Sequence, residues 1–290
     1  MRLKFVLPLL LALIACDARG RFPIGSAGDA CEPPTIVGAL PDNLREASGI
    51  VISRRHENLL WSHNDGGSST LHAIDTTGKA RGHVRVDADI VDWEDLAAAD
   101  CADGTCLYLA DIGNNLRERK QGAIHRIAEP DPGDSITSPA KTFRFRYPDG
   151  DHDAEALFVL PGERVYIITK GRSGPITVYR YPGPLRDEVV TLESVQTLSP
   201  GIVQVPDMVT GAAATPDGST IAVRTYGWLQ LYRLAGDTLQ PVRSAPVDLT
   251  AIAEPQGEAI DIRADGTIFL ASEQGLARTS PPLSRLRCSI

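Results

Sequence analysis

What this chain lacks first is an excess of positive charge. Lys and Arg together number 29 against 37 Asp and Glu, for a net charge of −8 and a pI near 5.3. With no basic cluster, nucleic acid is excluded as a partner, and an acidic chain gains nothing electrostatically from an anionic membrane surface. Long apolar runs are missing too. The run "FVLPLLLALIA" spans eleven residues, too short to cross a bilayer. No amphipathic helical stretch of any length appears. There is no G-x-S-x-G, P-loop or H-E-x-x-H, so the common hydrolase and nucleotide-binding motifs are absent. What remains is a chain 42% hydrophobic, able to bury a core, with 26 Gly and 21 Pro to make turns.

The short apolar run still has a use. It follows "MRLK" and ends in "LIAC", so residues 1–16 read as a signal peptide whose end resembles a bacterial lipobox. Cys16 would then be lipidated and become the mature N-terminus, with an ordinary cleaved signal peptide as the alternative. Residues 17–30 have no apolar period and read as a flexible tether with an r.m.s. reach of roughly 20 Å. The expected location is periplasmic or cell-surface, attached to the membrane through Cys16 only. Four cysteines remain, an even number that in an exported chain points to disulfides. "CADGTC" puts Asp-Gly at a hairpin turn, so Cys101–Cys106 would staple two strands. Cys31 and Cys288 are left, and they can pair only if the chain ends meet.

Repetition explains why the ends should meet. Five passages look alike: "EASGIVI", "DWEDLAA", "DAEALFV", "VTGAAAT" and "QGEAIDI". Aligning Ser48, Glu94, Glu155, Thr210 and Glu258 gives intervals of 46, 61, 55 and 48 residues. A turn and a second apolar run follow each passage, and two more strand-like pieces usually come next. A period near fifty residues with four short strands per unit marks a β-propeller. The fold expected over residues 31–290 is therefore a single all-β propeller of five blades, each of four antiparallel strands. Six blades is the alternative if a long interval hides an irregular one. The last unit is a strand short, and "CEPPTIVGALP" (31–41) is expected to supply it, locked by Cys31–Cys288.

In such a blade the first strand lines the channel and the second runs back, so first-strand starts and second-strand ends share one face. Ser48, Glu94, Glu155, Thr210 and Glu258 would converge there as a ring of three carboxylates and two hydroxyls. Like charges so placed call for a cation, and an all-oxygen donor set suits Ca²⁺ rather than zinc. Alternatively the glutamates only accept backbone hydrogen bonds from neighbouring blades. Regular alternation sends Asp95 into the blade stack, and neither Asp92 nor Asp95 is needed as a ligand. The second-strand ends add His63, Asn64, Asp65, Asp111, Asn114, Asn115, Lys170, Arg224, Tyr226 and Glu273. Lys170 and Arg224 would hold an anionic group or pair with Glu273, and His63 is a candidate general base. "DGDHDAE" (149–155) hints at a second cation but reads better as a solvated loop.

The motif order Ser, Glu, Glu, hydroxyl, Glu resembles the calcium-activated nucleotidases (apyrases), and that resemblance implies a five-bladed propeller with a central Ca²⁺. The fourth position departs from the family, with Thr210 in place of serine. More of the chain, including "HNDGG", "DWED", "DIGNN", "DAEAL" and "QGEAI", resembles an uncharacterised bacterial family of exported propellers. Two functions follow: a monomeric propeller binding an envelope or extracellular ligand at its mouth, or a Ca²⁺-dependent hydrolase of an anionic small molecule.

Overall fold

The computed structural model describes residues 31–66, 68–242 and 245–290. The signal peptide (1–16), Cys16 and the tether (17–30) lie outside the described residues. Blade 1 takes the strands Ala47–Ile52, Leu59–Asn64, Thr70–Asp75 and Ala80–Arg85, paired in that order from the axis outward. Blades 2 to 5 repeat the pattern from inner strands Trp93–Cys101, Ala154–Leu160, Val209–Ala214 and Gln256–Ile262. Each inner strand packs against both neighbouring inner strands, so the five close a ring. The protein is a five-bladed β-propeller of four-stranded antiparallel blades. Two-residue strands at Val190–Thr191 and Val247–Asp248 add to blades 2 and 4 without making a sixth.

The ring closes as the missing strand requires. Thr35–Ala39 forms the outer strand of blade 5, pairing Thr35 with Arg285 and Ala39 with Pro282. Cys31 bonds Cys288 across 257 residues of sequence, and Cys101 bonds Cys106. Two disulfides suit an oxidising, exported environment. No helix among the described residues is long and apolar enough to cross a membrane.

Five apolar clusters hold the blades together, one at each blade–blade seam. Val51 and Trp61 meet Trp93 and Leu107 between blades 1 and 2, while Tyr108 and Phe145 meet Leu157 and Tyr179 between blades 2 and 3. The remaining three seams are built alike. An inner strand is covered on both faces, which is why Ala154–Leu160 is buried along its whole length, Glu155 included.

One irregularity recurs in all five blades and decides the site. Pairing of the inner with the second strand slips between Ala47 and Gly49, Trp93 and Asp95, Ala154 and Ala156, Val209 and Gly211, and Gly257 and Ala259. The residue passed over is Ser48, Glu94, Glu155, Thr210 or Glu258, the aligned motif position each time. Such a bulge breaks the two-residue alternation and re-aims side chains. Asp95 therefore does not enter the blade stack. Its Oδ2 accepts hydrogen bonds from Leu157 N at 2.8 Å and Ala212 N at 3.3 Å, on the inner strands of blades 3 and 4.

Candidate functional site: the acidic mouth of the channel

The bulged strand starts and the second-strand ends open on one cavity of about 780 Å³. Of the positions expected at the mouth, Asp65, Glu94, Asn115, Glu155, Lys170, Tyr226, Glu258 and Glu273 line it. With Glu254, six carboxylates line this half-enclosed space and must be relieved. Part of the relief comes from the chain itself. Lys170 Nζ lies 2.7 Å from Glu155 Oε1 and 5.9 Å over the Tyr226 ring. Burial works against its charge, but Glu155 and Glu258 hold its pKa above that of an ordinary lysine. Lys170 is thus committed to Glu155, not to Glu273.

Glu258 is also partly satisfied. Its Oε1 accepts from Tyr226 Oη at 3.0 Å and Gln256 Nε2 at 2.9 Å, while its buried Oε2 has no partner. Burial pushes its pKa up to about 7. Glu94 is the least satisfied of the three. It is 3% exposed, and its Oε1 is buried without a hydrogen bond. Burial first, then the charges of Glu155, Asp65 and Asp92, push its pKa well above the usual value. Burial and the neighbouring Asp92 and Glu46 bring Asp65 to about 6, and burial with Asp65 nearby brings Glu273 to about 7.

Other expected site residues turn out to hold these in place. Ser48 Oγ donates to the Glu94 carbonyl at 2.6 Å, and Thr210 Oγ1 donates to the Gly257 carbonyl at 3.0 Å. Both hydroxyls tie one inner strand to the next, which gives them a task other than lending oxygens to an ion. Asn64 accepts from Glu46 N at 2.9 Å and donates to the Asn43 carbonyl at 3.0 Å. Asp111 accepts from Asp92 N at 2.9 Å and Arg119 at 2.7 Å. Asn114 bridges the Arg119 backbone, 3.0 Å to its N and 3.0 Å to its O.

Two expectations fail on burial. His63 is stacked on Trp93 with ring centroids 3.8 Å apart, in the seam between blades 1 and 2. Burial lowers its pKa to about 3, so the ring is both weakly basic and enclosed in the seam, away from the cavity lining. Arg224 is fully buried, its guanidinium paired with Glu254 at 2.7 Å and donating to the Ala259 carbonyl at 3.0 Å. It does not pair with Glu273, and it does not line the cavity. A Cβ at Gly257 would lie 2.0 Å from Arg224 Nη2, so the glycine of "QGEAI" makes room for this pair. The 149–155 loop is likewise a brace. Asp149 accepts from Tyr179 at 2.9 Å, and buried Asp153 from Asn114 N at 3.0 Å and Arg172 at 3.0 Å.

Asp92 is the residue that motif alignment passes over. Its carboxylate, with those of Asp65 and Glu94, offers oxygens all within 4.8 Å of one another. The only hint in the sequence was the density of acids in "DWED". A second feature also escaped notice. Val91, Leu116, Ile202, Val205 and Leu276 are exposed, by 61% to 105%, on loops that end second strands or enter inner ones. Of these, Val205 lines the acidic cavity.

Similarity to a solved structure supports the fold. A PQQ-bound aldose sugar dehydrogenase from Streptomyces coelicolor matches over 91% of this chain and 100% of its own, with TM-score 0.55 and 10% identity. A virginiamycin B lyase from Staphylococcus aureus covers 86% of this chain and 69% of its own, at TM-score 0.44 and 13% identity. A luciferin-regenerating enzyme covers 90% and 95%, at TM-score 0.48 and 12% identity. No family model matches the chain, and no curated protein matches it. The likeness to calcium-activated nucleotidases stays confined to the short motifs and gains no support from these comparisons.

Proposed function

We propose that the protein is an exported, lipid-anchored β-propeller that binds an envelope or extracellular ligand at its mouth through a Ca²⁺ site on the cavity floor. The observation that carries it is Glu94 Oε1, a buried carboxylate oxygen without a partner in a cavity walled by five further acids. A buried charge left unpaired is costly, and a cation removes that cost. Oxygen donors without His or Cys suit a hard ion taking six to eight ligands, so a bound ligand's carboxylate or phosphate can complete the shell. Val205, Pro206 and Met208 in the cavity lining support a ligand with an apolar part. Cys31, tied to Cys288, lies at the strand ends opposite the mouth. An anchor at Cys16 would therefore present the mouth away from the membrane.

Elemental analysis of the purified full chain, with melting curves in Ca²⁺ and in EDTA, tests the cation. At a hundredfold excess over its dissociation constant, Ca²⁺ would stabilise by about 2.7 kcal/mol. Absence of metal, together with identical melting in both buffers, would refute the site. Detergent-phase partitioning of the native protein, lost in Cys16→Ser, tests the anchor.

A Ca²⁺-dependent hydrolase of a phosphorylated or other anionic small molecule is the second reading. It is favoured by Glu273, a cavity carboxylate with no hydrogen bond among the described residues and so free to act as a base. Turnover of phosphoesters or lactones that disappears with EDTA and in Glu273→Gln would select it.

A further inference from the structure

We propose that the cation sits off the axis, in the seam between blades 1 and 2, on Asp65, Asp92 and Glu94, and not among the three inner-strand glutamates. This rests on the cation reading above and names its ligands. Three separate segments bring the carboxylates together: the turn after the second strand of blade 1, the loop entering blade 2, and the bulge of its inner strand. Their oxygens lie within 4.8 Å of one another, and two oxygens on opposite sides of one Ca²⁺ are separated by about that distance, given bonds of about 2.3–2.6 Å. Glu94 Oε1, buried and without a partner, belongs to this trio.

The cradle is built by backbone. A Cβ at Gly113 would fall 2.1 Å from Glu94 Oε1 and 2.5 Å from Asp92 Oδ2, so glycine leaves the space in which the two carboxylates meet. Gly113 N and Ile112 N donate to the Asp92 carbonyl at 3.2 and 3.1 Å, and Asp111 takes the Asp92 N–H. Asp65 N donates to the Glu46 carbonyl at 2.9 Å, and Ser48 holds the Glu94 carbonyl. All three ligands are fixed at the main chain before an ion arrives.

The axial alternative already holds a cation of the chain's own, although Glu258 Oε2 keeps no partner. Lys170 supplies the positive charge beside Glu155, and Glu258 is hydrogen-bonded to Tyr226 and Gln256. A second cation there would face the ammonium group directly. Three carboxylates against a divalent ion leave one net negative charge, with coordination positions open toward the cavity for water or ligand.

Calorimetric titration of the full chain in detergent with Ca²⁺, and separately with Mg²⁺, tests the placement. Wild type is expected to take up one ion. Asp92→Asn and Asp65→Asn should each weaken it at least tenfold, while Glu155→Gln and Glu258→Gln change it less than threefold. Melting in EDTA checks that each variant is folded, and two independent seam variants guard against one that is not. Normal binding by both seam variants, loss of binding in Glu155→Gln or Glu258→Gln, or equal losses in all four would overturn the off-axis site while leaving the cation reading intact. No uptake by wild type would overturn both.

Discussion

Glu94 and Asp95 are adjacent in sequence, buried alike, and spent in opposite ways. Asp95 Oδ1 accepts from Leu96 N at 2.8 Å, and Oδ2 from Leu157 N and Ala212 N, so one carboxylate links three blades. Asp261 repeats the device in blade 5, accepting from its neighbour Ile262 N at 2.8 Å and from Ile52 N of blade 1 at 2.6 Å. Glu94 and Glu258 instead keep an oxygen with nothing to accept. Burial raises the pKa of all four, so burial and pKa do not separate structural acids from functional ones. The count of unspent oxygens does. The aspartates are rivets; the glutamates are open valences.

The largest effect should follow from removing a rivet. Asp95→Ala strips acceptors from three buried N–H groups, each worth about 1–3 kcal/mol when orphaned. A melting point more than about 10 °C below wild type, or loss of soluble protein, is expected at the usual 2–4 °C per kcal/mol for a chain of this size. Asp95→Asn keeps the shape but turns an amide toward those donors, so it should fall between. If Asp95→Ala melts within a few degrees of wild type, the distinction between the two carboxylate classes is wrong.

How much of this was legible beforehand follows from which interactions are local. Blade number, strand order and ring closure could be read because they rest on repeats and on strand-length apolar runs, and the Cys31–Cys288 bridge because only two cysteines remained. Asp95 could not be placed, because alternation assumes a regular strand and the bulge at Glu94 is visible only in the pairing. Its partners lie 62 and 117 residues away. Arg224 and His63 read as mouth residues because a strand end fixes a position along the axis but not which side of the blade the side chain takes. Lys170 lines the mouth, yet its choice of Glu155 over Glu273 depends on two strands converging at ångström precision.

Ring closure comes next. Cys288→Ser opens a 257-residue loop. The chain-entropy model and measured disulfides together give a loss of about 3 kcal/mol. Because the bridge lies on the face opposite the mouth, Ca²⁺ affinity should change less than about twofold while the protein remains folded. A large loss of affinity would mean that the ends of the ring and the blade 1–2 seam are coupled.

Acid should act on the rivets with a definite sign. Burial raises Asp261 to about 7, opposed by Arg54 and Arg263, whereas an unfolded aspartate titrates near 3.9. Between those values the folded state binds more protons than the unfolded one, so stability falls as pH rises from about 4 to about 7. In EDTA, wild type should lose about 2 kcal/mol, or several degrees, between pH 5 and 7.5 from this group. Asp261→Asn should flatten that slope. An unchanged slope would mean that Asp261 is ionised throughout, held by its two backbone donors.

The smallest effect on stability should come from Glu94→Gln without metal, and it sharpens the contrast most. Gln has nearly the same shape, so the seam keeps its packing and Ser48 keeps the backbone carbonyl it binds. The charge removed is buried, beside Glu155, Asp65 and Asp92, and has no hydrogen bond at Oε1. Removing a charge that lacks a partner costs nothing and relieves repulsion, whereas an amide can donate to one of those carboxylates. Melting in EDTA at pH 7.5 should therefore match wild type within about 2 °C or rise above it. In Ca²⁺ the order should reverse, because only the wild type gains the ion. A variant that melts far below wild type in EDTA would show that Glu94 is a third rivet, with its stabilising partner supplied by the fold and not by a cation.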